Sequence, residues 1–170
     1  MAAEALMARL SGQDAEPGLA MRAVFHGLEH IGPRVNASYI EQARGLMQFQ
    51  GMSPQVLAEC ERLLRLGLAF DPDHGNTHVL LGYVLTHAGR GAEAEKTLDR
   101  AAELDADSPW LHVNRGELRR LSGDLPGAEA SLLKAIEHPG MPDEVHAAAL
   151  MMLGAVQAEL GRGDAARDTF

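Results

Sequence analysis

The chain repeats itself, and that most constrains what it can fold into. HVLLGYVLTHAGRGAEAEKTLDRAAEL (78–104) lies over HVNRGELRRLSGDLPGAEASLLKAIEH (112–138) at an offset of 34 residues. The overlay pairs His78 with His112, Val79 with Val113, Gly82 with Gly116 and Gly89 with Gly123. Further along it pairs Ala94 with Ala128, Leu98 with Leu132, Ala101 with Ala135 and Glu103 with Glu137. At an offset of 38, Gly116 falls on Gly154, Gly123 on Gly161, Ala128 on Ala166 and Leu132 on Phe170. The extra residues fall in HPGMPDE, a loop-like stretch that tolerates insertion. A fixed period of this length implies stacked copies of one small unit, none of which can bury its apolar face alone.

Each copy reads as helical. Strict alternation over a strand length is absent, and Gly-containing breaks punctuate segments of helical period. They fall at 11–18, 32–34 (GPR), 50–54, 71–75, 89–91, 105–109, 122–127, 138–143 and 161–164. Ser53-Pro54 is an N-cap followed by proline at the first helical position, and Asp143 is the expected N-cap of the helix holding His146 to Leu160. Aromatics make up only 4% of the chain, so the core must be built from Ala, Leu, Val and Met. Such small-residue cores suit closely packed helices rather than sheets.

The segment from about Gly75 to Phe170 resembles tetratricopeptide repeats. Leu81-Gly82 and Leu153-Gly154 match that family's first-helix pair. Its second-helix signature is matched by Ala94, Leu98 and Ala101, and again by Ala128, Leu132 and Ala135. An earlier copy shows as Cys60, Leu64, Gly67 and Pro72. The chain departs from the pattern at Arg115, at Arg119 and in the tryptophan slot, which holds His78, His112 and Leu150. The resemblance implies an all-α fold: a right-handed superhelical array of antiparallel helix pairs. The expected divisions are a degenerate pair (1–35), a divergent repeat (36–74), two repeats (75–108 and 109–142) and a partial repeat (143–170) ending within its second helix. That ending suggests self-association through an uncapped end, or a longer enzyme, a transferase or oxygenase, that this segment recruits or oligomerises.

The charge narrows the choice of partner. A net charge of −9, with two lysines among 15 basic residues, argues against nucleic acid, which needs clustered cations. The Ala-, Gly- and Arg-rich, Lys-poor composition is that of GC-rich bacterial genomes. Cys60 is the only cysteine, so no internal disulfide can form and a reducing cytoplasm fits. The longest apolar run, Ala147 to Val156, is too short to cross a bilayer, and Glu4 stands where a secretory leader would be basic. No phosphate loop, dinucleotide turn or nucleophile elbow occurs, and no cofactor is expected.

One motif points elsewhere. HGLEH, His26 to His30, matches the inverted zinc-protease pattern H-x-x-E-H. In the repeat frame it aligns with RAAEL (100–104) and KAIEH (134–138), which makes it the closing turn of a worn repeat helix. A zinc site also needs a third protein ligand and a cleft, so no metal and no catalytic residue is assigned. His74 and His78 are four apart, with His87 and His112 beyond, but the DPDHG turn puts His74 outside the helix start.

The resemblance implies protein or peptide binding in the concave groove lined by first helices. Carried over by alignment, the groove holds Asn76, Val79, Tyr83, Trp110, Val113, Glu117, Arg120 and Met151. Trp110, the sole tryptophan, is either a binding anchor or packing at a repeat junction. Arg115 and Arg119 share a helix face, where like charges call for an anion or an internal acid. The family's carboxylate clamp for chaperone tails is not expected, because this groove has no lysine and places Tyr83 and Glu117 where asparagine would serve.

Overall fold

The computed structural model describes residues 19–104 and 108–169, with side chains described from residue 30 onward. The described residues form helices and no strand. In chain order these are α1 (Leu19–Gln50), α2 (Pro54–Phe70), α3 (Gly75–His87), α4 (Gly91–Leu104), α5 (Pro109–Leu121), α6 (Leu125–Ile136), α7 (Asp143–Glu159) and α8 (Gly163–Thr169). They divide into two compact units, residues 1–77 and 78–170, whose boundary falls within α3.

In unit 1, small residues set an antiparallel pair. Gly32 of α1 lies against the Phe70 carbonyl of α2, Gly67 of α2 against the Asn36 side chain, and the Cys60 thiol donates to the Ala43 carbonyl at 3.4 Å. As the α1 number rises the α2 number falls, which is the mark of an antiparallel hairpin. A Cβ at Gly32 would stand 2.5 Å from that backbone oxygen, so only glycine permits the approach. Ser53 caps α2, its hydroxyl accepting from the Val56 amide at 3.3 Å, with Pro54 opening the helix as the sequence indicates.

A buried polar pair fixes the register. Asn36 and Thr77 are both fully buried; the Asn36 amide donates to the Thr77 hydroxyl at 2.9 Å, and His74 Nδ1 lies 2.9 Å from the same hydroxyl. The His74 ring also accepts from the Thr77 amide at 3.2 Å, so it serves the first turn of α3 from outside the helix. Thr77→Val would leave the Asn36 amide unsatisfied in the core. It should destabilise the protein by about 1–3 kcal/mol, to be read as a lower urea midpoint with an unchanged slope.

Two expectations fail here. The chain does not break at GPR: α1 continues through Gly32 and Pro33 as one helix of 32 residues. HGLEH therefore lies inside α1 and does not close a helix. Proline removes one backbone donor and would normally end the helix, but the Gly32 and Asn36 contacts with α2 and α3 anchor both sides of it. The His26 and Glu29 side chains, and residues 1–18, lie outside the described residues, so the metal reading of that motif rests on the sequence argument.

Unit 2 repeats one construction. Ala94, Leu98 and Ala101 of α4, like Ala128, Leu132 and Ala135 of α6, are completely buried. Gly82 faces Leu98 and Gly116 faces Leu132, so the small residue of each first helix receives the leucine of the second. Each first helix ends in the same turn. Arg90, Asp124 and Arg162 amides donate back to Leu85, Arg119 and Gln157 carbonyls at 3.0, 2.9 and 2.8 Å. Gly89, Gly123 and Gly161 hold positive φ at 74°, 84° and 75°, the left-handed cap that glycine adopts without penalty. At α7 the N-cap is Pro142, with Asp143 already helical, one residue from the expected start. No described helix is long and apolar enough to cross a membrane.

Candidate functional site

The first helices α3, α5 and α7 of unit 2 present the face on which the sequence places the binding residues. Two of the apolar candidates remain on the surface: Trp110 is 37% exposed and Met151 65%. Tyr83 is half-buried. Asn76 is exposed but belongs to unit 1.

Val79, Val113 and Glu117 are not open groove residues. Val113 packs in the core with Ala135, Val145 and Ala149. Val79 is buried, and its carbonyl accepts from the buried Asn114 amide at 3.1 Å. Val79 and Val113 lie three residues on from Asn76 and Trp110, about 60° round the helix, where the apolar side chain turns inward. Glu117 is 6% exposed and is spent on an ion pair.

That pair is the centre of a polar cluster. Arg120 Nε and Nη2 reach the two Glu117 oxygens, each at 2.9 Å, in a bidentate fork. Its Nη1 reaches Oε1 of Glu159, on α7, at 2.9 Å. Hydrogen bonds to Glu117 raise the Arg120 pKa despite burial, so the guanidinium is permanently charged. Tyr83 and His87, one helix turn apart on α3, stand edge-to-face with ring centroids 4.4 Å apart. Burial, reinforced by the Glu117 carboxylate, pushes the Tyr83 phenol up. Burial lowers the His87 pKa; Glu117 opposes that shift and Arg120 adds to it. His87 Nε2 is buried and has no hydrogen-bond partner.

The neutral imidazole is therefore the form the fold prefers. A histidine pKa lowered by folding contributes stability that is complete above the unfolded value of about 6.5 and is lost as pH falls below it. His87→Gln should flatten the drop in Tm between pH 7.5 and 5.5 relative to the parent. An equal drop in both proteins would contradict this.

The arginine patch finds its acids and acceptors inside the fold. Arg115 pairs with Asp99 of α4 at 2.6 Å. Arg119 donates to the Gly127 carbonyl at 3.1 Å and to the Ser131 hydroxyl at 2.8 Å, both on α6. Arg115 and Arg119 thus tie first helix to second helix, the internal pairing that the sequence offers beside an anion, while Arg115 Nε is buried without a hydrogen-bond partner. Glu159 and His87 were not named as groove residues by the repeat frame. Only their positions about two turns beyond Met151 and one turn beyond Tyr83 could have indicated them. Among the described residues no group of three or more His, Cys, Asp or Glu is placed to hold a metal ion. Unit 1 carries a separate shallow depression lined by Leu46, Phe49, Leu63 and Arg62, with Phe49 82% exposed.

No protein-family model matches the chain. It is similar to two rice (Oryza sativa subsp. japonica) proteins, DnaJ protein P58IPK homologs A and B. Identity to homolog A is 29% over 121 residues, 69% of this chain and 23% of that protein. Homolog B gives 29% over 119 residues, 68% and 23%. The chain thus spans less than a quarter of the length of these relatives. Among solved structures it resembles Pseudomonas aeruginosa pilF, with a TM-score of 0.68 at 18% identity, over 81% of this chain and 59% of that one. It also resembles MamA, with a TM-score of 0.56 at 21% identity, over 79% and 69%. These neighbours are tetratricopeptide-repeat proteins. The described residues are helical and have the tetratricopeptide-repeat fold, as the sequence period implies.

Proposed function

We propose that this chain is a non-catalytic scaffold that binds a protein or peptide segment on the α3–α5–α7 face of unit 2. The observation that carries this reading is the exposure of Trp110 and Met151 within helices whose large aliphatic residues, Leu121 at the end of α5 excepted, are buried or partly buried. A tryptophan and a methionine held on a rigid helical frame are low-entropy, adaptable anchors. Arg120 is not a free anchor in this reading, because two carboxylates already hold it. The single cysteine is buried, with burial pushing its thiol up, which accords with a structural role.

The Trp110→Ala/Met151→Ala double variant tests the reading. Affinity capture from a lysate of the source organism should lose the specific partner bands, with affinity reduced at least tenfold, while circular dichroism stays unchanged. Capture of the same partners at the same yield would place binding elsewhere, with the Phe49 surface of unit 1 next in line.

A further inference from the structure

The cluster on this face holds more carboxylate than cation. Arg120 is shared between Glu117 and Glu159, one guanidinium between two acids. Both Glu117 oxygens are taken, but only Oε1 of Glu159 is. Glu159 is 42% exposed at its side chain, so its second oxygen can be reached from solvent. Glu117 is nearly out of solvent. An acidic ligand would have to draw Arg120 away from it and strand a buried carboxylate, a costly exchange. A basic ligand demands no such exchange. It adds a second cation to a group already carrying surplus negative charge, on a chain whose net charge is −9. The Tyr83 ring offers a π face or edge in the same cluster.

We propose that the bound segment carries an arginine or lysine side chain that pairs with Glu159, flanked by apolar side chains that contact Trp110 and Met151. This rests on the binding reading above and narrows it to a basic, amphipathic partner.

The test is selection from a random peptide display library on the immobilised full chain at low salt. Selected peptides should be enriched in Arg or Lys beside Leu, Met or aromatic residues. Titration of one such peptide can be followed by the emission of Trp110, the only tryptophan. Replacing its basic residue by glutamine should weaken binding about tenfold, and so should Glu159→Gln. Glu129→Gln, which removes a carboxylate paired with Arg162, should leave the affinity unchanged. Peptides selected without basic enrichment, or an affinity insensitive to Glu159→Gln, would overturn the basic-partner inference and leave the binding face standing. Failure to select any peptide, or selection of peptides that bind Trp110→Ala/Met151→Ala as tightly as the parent, would remove the binding face and this inference with it.

Discussion

Gly116→Ala should destabilise the protein by about 2 kcal/mol, although alanine is the better helix former. A Cβ at Gly116 would stand 2.7 Å from Cγ of Leu132 and 2.9 Å from its Cδ2. Leu132 is itself completely buried, with Leu153 and Val156 in the same core cluster, so it has little room to withdraw. Leu132→Ala alone should cost about 2–5 kcal/mol through the lost side chain and the cavity left behind. The two losses should not add. Once Leu132 is truncated, the Cβ at position 116 has space and the glycine-to-alanine gain in helix propensity, about 1 kcal/mol, emerges. Gly116→Ala should therefore be neutral or stabilising in the Leu132→Ala background, giving a coupling of about 2–3 kcal/mol in a double-mutant cycle by urea denaturation. Additive losses would mean the first and second helices do not interlock as described. Gly82 and Leu98, whose corresponding approach is 2.5 Å, should behave alike.

Arg120→Ala is expected to have the second large effect. Removing the guanidinium leaves the Glu117 carboxylate nearly buried without a cation, a change of about 2–4 kcal/mol. The partial exposure of Arg120, 26% at the side chain, keeps the figure below that of a fully buried pair. The loss should be largely reversed by adding Glu117→Leu, because an apolar pair at a semi-buried helix junction needs no partner. A single Arg120→Ala with unchanged stability would show that the fork to Glu117 and Glu159 contributes nothing in solution. The same result would weaken the case against an acidic ligand, which depends on Arg120 being needed where it is.

The repeat frame was legible because packing imposes it on the sequence. Wherever a second-helix leucine must enter a neighbouring helix, the facing position must be glycine, and Gly82/Leu98 and Gly116/Leu132 recur at the same spacing. The turns were legible for a related reason: Gly89, Gly123 and Gly161 each sit where the backbone needs positive φ. Pro33 misled because a local rule met a tertiary exception. The sequence GPR signals a stop, yet contacts on both sides hold α1 through it, and nothing local to 32–34 announces those contacts.

The candidate site was read less well than the fold. Alignment placed Val79, Val113 and Glu117 on the open face because it assigns whole helix faces, and the boundary between a lining and a packed position is a rotation of less than one residue step. The fate of charged residues was also hidden. The shared face of Arg115 and Arg119 left an anion and an internal acid both open, because their partners Asp99, Gly127 and Ser131 lie on other helices. The Glu117–Arg120 pair, three residues apart, was visible in principle as a helix-face ion pair. Its junction with Glu159, 39 residues away, was not.

The proposed binding face is that of α3, α5 and α7 in unit 2. Amide chemical-shift mapping of the isotope-labelled full chain, titrated with a peptide obtained by display selection, tests it most directly. The largest shifts are expected to cluster at Tyr83, Trp110, Met151 and Glu159, with the indole N–H of Trp110 moving with them. Shifts confined to α1 and α2, or to the solvent faces of α4 and α6, would contradict it.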